Sequence, residues 1–211
     1  MYSPAAFAID DLAHLHDFIR TRRFAVMAST IDEAVAFAYA PVHLDVSAGS
    51  FGSLRFHLAR ANPMAATHGR PMRLTFLGPD AYISPDWYET EGLVPTWNYI
   101  AVEVAGRARL LGDGELRSLL VDLSAGAEDK LQPKTPWKLD KIPEQRIAGL
   151  MKAIRGFEVQ IETIAGKAKL SQDKSPADHA SVIAALEARG DRTSLGIADA
   201  MRETASRPTA P

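Results

Sequence analysis

The sequence predicts a mainly antiparallel β-barrel with helices packed around it. Three observations lead there. Short segments with a period of two dominate the chain from Phe24 to Glu162. Glycine and proline punctuate them, and the helical segments come as insertions, without the regular βαβ alternation of a doubly wound sheet. The length of 211 residues is enough for one barrel-sized domain with its own core. There is no cysteine, which excludes disulfides, thiolate metal sites, iron–sulfur clusters and cysteine nucleophiles. With 24 Lys and Arg against 26 Asp and Glu the net charge is -2, so the chain as a whole is no polycation drawn to nucleic acid or anionic lipid. No stretch approaches the roughly 18 apolar residues of a membrane span. The first residues lack a basic region followed by an apolar run, and a cytoplasmic protein is expected.

The elements follow in order. Leu12, Leu15, Phe18 and Ile19 at helical spacing predict a helix from about Asp10 to Arg22, with Asp10 or Asp11 as N-cap. Arg20, Arg22 and Arg23 at its end complement the helix dipole. Phe24 to Ser29 and Val35 to Val46 read as strands, and Gly49 and Gly52 bracket a turn. In Leu54-Arg55-Phe56-His57-Leu58 the alternation sets Leu54, Phe56 and Leu58 on one face and Arg55 and His57 on the other. Ala61-Asn62-Pro63 interrupts and starts a short helix through His68. Met72 to Leu77 and Ala81 to Ser84 are extended pieces separated by Gly78-Pro79, and 85–95 is a loop. Ile100, Val102 and Val104 form the strongest strand, a long one bent at Gly106. Helices are predicted over Glu115 to Leu123, Glu144 to Ile154 and Ala177 to Ala188, and a strand over Phe157 to Glu162. The expected organisation is one domain over 1–189 and a loosely ordered tail over 190–211.

Familiar catalytic signatures are absent. Gly112-Asp113-Gly114 starts like a dinucleotide fingerprint, but Arg117 stands in the third glycine position. His14 and His16, two apart on a helix, point to different faces. No Walker loop, Gly-x-Ser-x-Gly elbow or His-Glu-x-x-His occurs, and no metal site is expected.

Two polar constellations remain. Arg55, His57, Arg60 and Asn62 bring donors to a strand end that turns into a short helix, which suits an anion such as a phosphate. Alternatively, Arg55 and His57 solvate the outer face of a barrel strand. Gly166-Lys167-Ala168-Lys169-Leu170-Ser171-Gln172 could hold a phosphate or pair with the carbonyls of a flat ring; it could equally be a charged turn. Between them, Val94-Pro95-Thr96-Trp97-Asn98-Tyr99 places a Trp and an amide in a loop suited to covering a planar ligand, although core packing explains a Trp as well.

In order and spacing these motifs resemble the PaiB family, described as FMN-binding negative transcriptional regulators with a flavin-reductase-like split barrel. The resemblance is carried by Met1-Tyr2-Ser3-Pro4, by 54–63, by Gly78-Pro79-Asp80-Ala81-Tyr82-Ile83-Ser84-Pro85-Asp86-Trp87-Tyr88, by 94–99 and by 166–172. It implies FMN in a groove between the two barrels of a homodimer. The segment from His57 to Asn62 would then hold the phosphate or ribityl chain, and Trp97 and Asn98 would meet the ring or close the groove. Lys169, Ser171 and Gln172 would add polar contacts, from the same or the second subunit. Family members commonly read Asn-Arg where this chain has Asp173-Lys174, and an acid at that point would move a phosphate elsewhere.

The family description also implies a regulator, either acting indirectly or binding DNA. Against direct DNA contact stand the net charge of -2 and the lack of a helix-turn-helix pattern or basic helical stripe; Arg20 to Arg23 is the compact candidate. A third reading is a barrel that binds haem through His57 or His68.

Overall fold

A computed structural model of the chain describes residues 1–205. The strands are β1 (Ala8–Ile9), β2 (Phe24–Ile31), β3 (Ala34–Pro41), β4 (His43–Asp45), β5 (Ser53–Ala59), β6 (Pro71–Ile83), β7 (Thr96–Leu110) and β8 (Ile154–Lys169). The helices are α1 (Leu12–Arg22), α2 (Asp113–Glu128), α3 (Glu144–Met151), α4 (Pro176–Arg189) and α5 (Arg192–Ala205). The strand order is β3-β2-β6-β7-β8-β5-β4, with β1 added to β8, and the sheet does not close on itself. The chain divides into two compact units, one of Leu12–Phe76 with Glu103–Ile164, the other of Met1–Asp11, Leu77–Val102 and residues from 165 onward. β6, β7 and β8 each contribute residues to both.

In the first unit the alternation read from the sequence sets the core. Leu54, Phe56 and Leu58 of β5 are buried, and Phe56 stacks on Phe157 of β8 with ring centroids 5.5 Å apart. The opposite face of β5 is not a solvated barrel surface: α2 covers it, and Arg55 donates to Asp122 of that helix at 3.0 Å. The strand expected over Val35 to Val46 is two strands, because Val42 turns away and its N–H donates to the Arg23 carbonyl at 2.7 Å. Gly106 continues β7. A Cβ there would lie 2.1 Å from the Gln160 carbonyl oxygen, so the glycine permits a close approach of two backbones.

In the second unit β6 runs unbroken through Gly78-Pro79. Its core gathers Ile83, Leu170, Val182 and Leu186 with Ile197, Ala198 and Met201. The last three belong to α5, which corrects the expected loose tail over 190–211. Gly190, at φ +68°, ends α4 in the left-handed conformation. Asp191 then caps α5, accepting from the Ser194 N–H at 3.0 Å and the Ser194 hydroxyl at 2.6 Å. The small polar composition of this stretch conceals an apolar stripe of Ile197, Ala198 and Met201 at helical spacing. The rest of the expected tail, 206–211, lies outside the described residues.

Candidate functional site

In the second unit the ends of β6, β7 and β8 present two different faces. Ile83, Ile100, Ala168 and Leu170 pack into the core with α4 and α5. By strand alternation Tyr82, Trp97, Tyr99, Lys167 and Lys169 occupy the other face. There Tyr82 and Trp97 meet edge to face with centroids 6.0 Å apart, and Trp97 is 55% exposed. Lys169 donates to the Thr96 hydroxyl and, at 2.9 Å, to the Trp97 carbonyl. Burial pushes its ammonium below the ordinary lysine range. The Lys167 ammonium lies 5.3 Å from the centroid of Tyr99 and 5.7 Å from that of Tyr2, and the residue is only 8% exposed. No carboxylate pairs with it among the described residues. A nearly buried cation held only by ring faces is a costly arrangement that an added anion would relieve.

Asn98, Ser171 and Gln172 serve the other face and the turn that follows β8. Asn98 is fully buried; its Nδ2 donates to Ser171 Oγ at 3.0 Å and lies 3.6 Å from Met201 Sδ. Ser171 takes φ +62°, a left-handed turn conformation. Gln172 closes that turn, accepting from the Leu170 N–H at 2.7 Å and donating to the Ala168 carbonyl at 2.5 Å. Asp173 is paired with Lys174 at 2.7 Å, so its charge is compensated locally.

The other predicted constellation lies in the first unit, where the fold's own hydrogen bonding engages Arg55, Arg60 and Asn62. Arg55 is tied to Asp122, while its Nε is buried without a partner. His57 Nδ1 is likewise buried and unpartnered, and burial pushes its imidazole pKa down. Arg60 Nε donates to the Lys152 carbonyl at 2.9 Å. Asn62 caps the one-turn helix Pro63–Ala66, its Oδ1 accepting from the Met64 N–H at 2.9 Å. The sequence-predicted residues therefore fall into two sets in two units.

Sequence reasoning put Trp97 in a loop and the lysines of 166–172 at a strand exit or charged turn; the structure brings Trp97, Lys167 and Lys169 to one strand face together with Tyr82 and Tyr99. The signal was available: extending the alternation of β8 to Lys169 puts Lys167 and Lys169 on one side. The Arg20 to Arg23 cluster is consumed locally. Arg20 pairs with Asp17 at 3.0 Å, Arg22 lies over Phe18, and Arg23 packs against Gly126. Among the described residues no group of three or more His, Asp or Glu is placed to hold a metal, and no helix is long and apolar enough to cross a membrane.

The family model described as "Putative FMN-binding domain" matches residues 1–163. The chain is 28% identical over 205 residues to the protease synthase and sporulation protein PAI 2 of Bacillus subtilis, covering 96% of this chain and 97% of that protein. An uncharacterized protein of Aspergillus fumigatus is 29% identical over 253 residues, with 96% and 97% covered. Among solved structures, the FAD and heme binding protein of Mycobacterium smegmatis superposes with TM-score 0.55 at 16% identity, covering 82% of this chain and 79% of that one. The flavocytochrome Anf3 of Azotobacter vinelandii gives 0.54 at 15%, covering 82% and 75%. These likenesses show the fold, a split β-barrel.

Proposed function

The chain belongs to this FMN-binding domain family, and from that premise we propose that it binds FMN on the aromatic, basic face formed by Tyr82, Trp97, Tyr99, Lys167 and Lys169. The observation that carries the reading is Lys167: a cation 8% exposed, between two tyrosine rings and without a carboxylate, on the face that also carries an exposed Trp. The donor set fits the cofactor. Lysine ammoniums suit a phosphate or an electron-rich ring carbonyl, and exposed aromatic edges suit a flat heteroaromatic system. Bound FMN would supply one- and two-electron chemistry, which the side chains alone do not.

The chain's own residues then have defined work. Trp97 and Tyr82 cover the ring and exclude water from it. Lys167 places positive charge at the cofactor, and Lys169, with its ammonium oriented by Thr96 and the Trp97 carbonyl, adds a second donor. Asn98 and Ser171 hold the strand end that presents Trp97 and Tyr99. The cluster of Asp173 with Lys174 stays outside this role.

We also propose a homodimer. In the first unit the outward face of β2 and β3 is apolar: Phe24, Val35, Phe37 and Tyr39 are 57%, 65%, 59% and 64% exposed. Strand register makes them contiguous, with Ala28 opposite Phe37 and Val26 opposite Tyr39. An apolar sheet face of this kind marks an interface, and an isologous contact with a second copy covers it without any other partner.

The test is an FMN titration of the purified protein, followed by flavin absorbance and Trp fluorescence. Saturable one-to-one binding with quenching lost in Trp97→Ala is expected. No binding, or quenching retained in that variant, removes the assignment.

A further inference from the structure

The first unit contains a cleft of about 730 Å³ that neither the flavin face nor the dimer face uses. It lies at the meeting of the β7 end, the first turn of α2, one side of α3 and the beginning of β8. Its volume falls within the roughly 300–1,000 Å³ of small-molecule sites. Its wall has two chemistries. Leu111, Leu116, Ala148 and Met151 make an apolar part, and four cations border it: Arg60, Arg117, Lys152 and Arg155.

The disposition of those cations is decisive. Arg117 is neutralised by Glu144 at 2.8 Å. Arg60 and Arg155 are held by backbone carbonyls instead, Arg60 by Lys152 and Ile154 at 2.9 and 3.4 Å, Arg155 by Ala65 at 3.0 Å. Carbonyl bonds fix a guanidinium in place without removing its charge. Lys152 has no ion pair among the described residues. Three uncompensated cations therefore face one remaining lining carboxylate, Asp113.

We propose that this cleft binds a small amphipathic anion: a carboxylate or phosphate head on an apolar body the size of a medium-chain acyl or aromatic group. The head meets Lys152 and the fixed guanidiniums, and the body lies on the leucines and Met151. The cations alone would take inorganic phosphate, and the apolar wall alone would take a neutral hydrocarbon. Together they select a molecule that carries both features. The two sites share no residue, since all residues of the cleft belong to the first unit and Lys167, Lys169 and Trp97 to the second.

Calorimetric titration of the full chain with decanoate, decyl phosphate, decanol and inorganic phosphate tests this. Saturable one-to-one binding of decanoate or decyl phosphate is expected, at least tenfold tighter than decanol or phosphate, and the tighter of the two anions identifies the head group. Gly114→Phe projects a ring into the cleft from a position whose Cβ has open space; it is expected to abolish binding. Lys152→Glu, a surface change compatible with folding, is expected to weaken binding at least tenfold. FMN titration is unchanged in both variants. Decanol binding as tightly as decanoate, decanoate binding that both variants leave intact, or displacement of decanoate by FMN would overturn the proposal. Failure of FMN binding with decanoate binding intact would remove only the flavin assignment.

Discussion

The ammonium of Lys167 sits 5.3 Å from the ring centroid of Tyr99, and no carboxylate neutralises it among the described residues. Cation–ring attraction offsets part of the cost of burying the charge. The rest is available to favour an anion. Lys167→Met keeps the aliphatic stem against the rings and removes the charge. FMN affinity is expected to drop about tenfold or more, roughly 1.4 kcal/mol, in a flavin fluorescence titration, while Tm stays level or rises. Unaltered affinity would remove Lys167 from the site.

Asn98 and Ser171 predict the opposite pattern. Both are buried and bonded to each other, on the face turned to α5. Asn98→Ala strands the Ser171 hydroxyl and opens a cavity, at a cost of about 1–3 kcal/mol. Urea denaturation is expected to show that loss, with FMN affinity of the folded protein within twofold of the parent. A tenfold loss of affinity without a loss of stability would place Asn98 in contact with the flavin.

Gly106 and Gly114 form a matched pair. A Cβ on Gly106 would stand 2.1 Å from the Gln160 carbonyl oxygen, a backbone atom that cannot rotate away. Gly106→Ala must separate β7 from β8, with an expected loss of about 3 kcal/mol. Gly114 has nothing within 4 Å of its Cβ position, so Gly114→Ala is expected to be neutral or to stabilise by up to about 1 kcal/mol through helix propensity. Comparable Tm values for the two variants would contradict the close approach of the strands.

The apolar face of β2 and β3 predicts a dimer that a single charge dissolves. Phe37 is 59% exposed, in the middle of that face. Phe37→Glu is expected to yield a folded monomer by light scattering, where the parent is a dimer at micromolar concentration. A monomeric parent, or a variant that remains dimeric, would refute the interface.

Histidine burial sets an acid limit. Burial pushes the imidazoles of His57 and His43 below their ordinary 6.5, so between about pH 6.5 and the lower folded pKa values the unfolded chain holds more protons. The stabilisation is complete above that value and declines as pH falls through the lower folded pKa values. Urea unfolding at pH 7.5 and 5.5 is expected to show lower stability at the acid end, and His57→Gln to reduce the difference. An identical pH dependence in the variant would assign the effect elsewhere.

Much of this was legible in the chain. The alternation of Leu54, Phe56 and Leu58 set the core face of β5, because one side chain in two must point inward whatever the strand pairs with. Helical spacing placed α1 and α4 nearly to the residue. Glycine and proline were less dependable. Gly78-Pro79 read as punctuation yet lies inside a long strand, since a local breaking tendency yields when flanking residues are paired.

The candidate site divides along the same line. The sequence by itself determined which residue types could meet an anion or a flat ring, and that Lys169 and Trp97 were among them, because charge and aromaticity are properties of single side chains. Only the tertiary structure decided which of those groups were already taken. Asp122 on Arg55, Ser171 on Asn98 and the Lys152 carbonyl on Arg60 are all more than sixty positions away in the chain. A hydrogen bond over such a separation leaves no mark in local pattern. It therefore fell to the fold to leave Lys167 without an anion and to pair most of the rest.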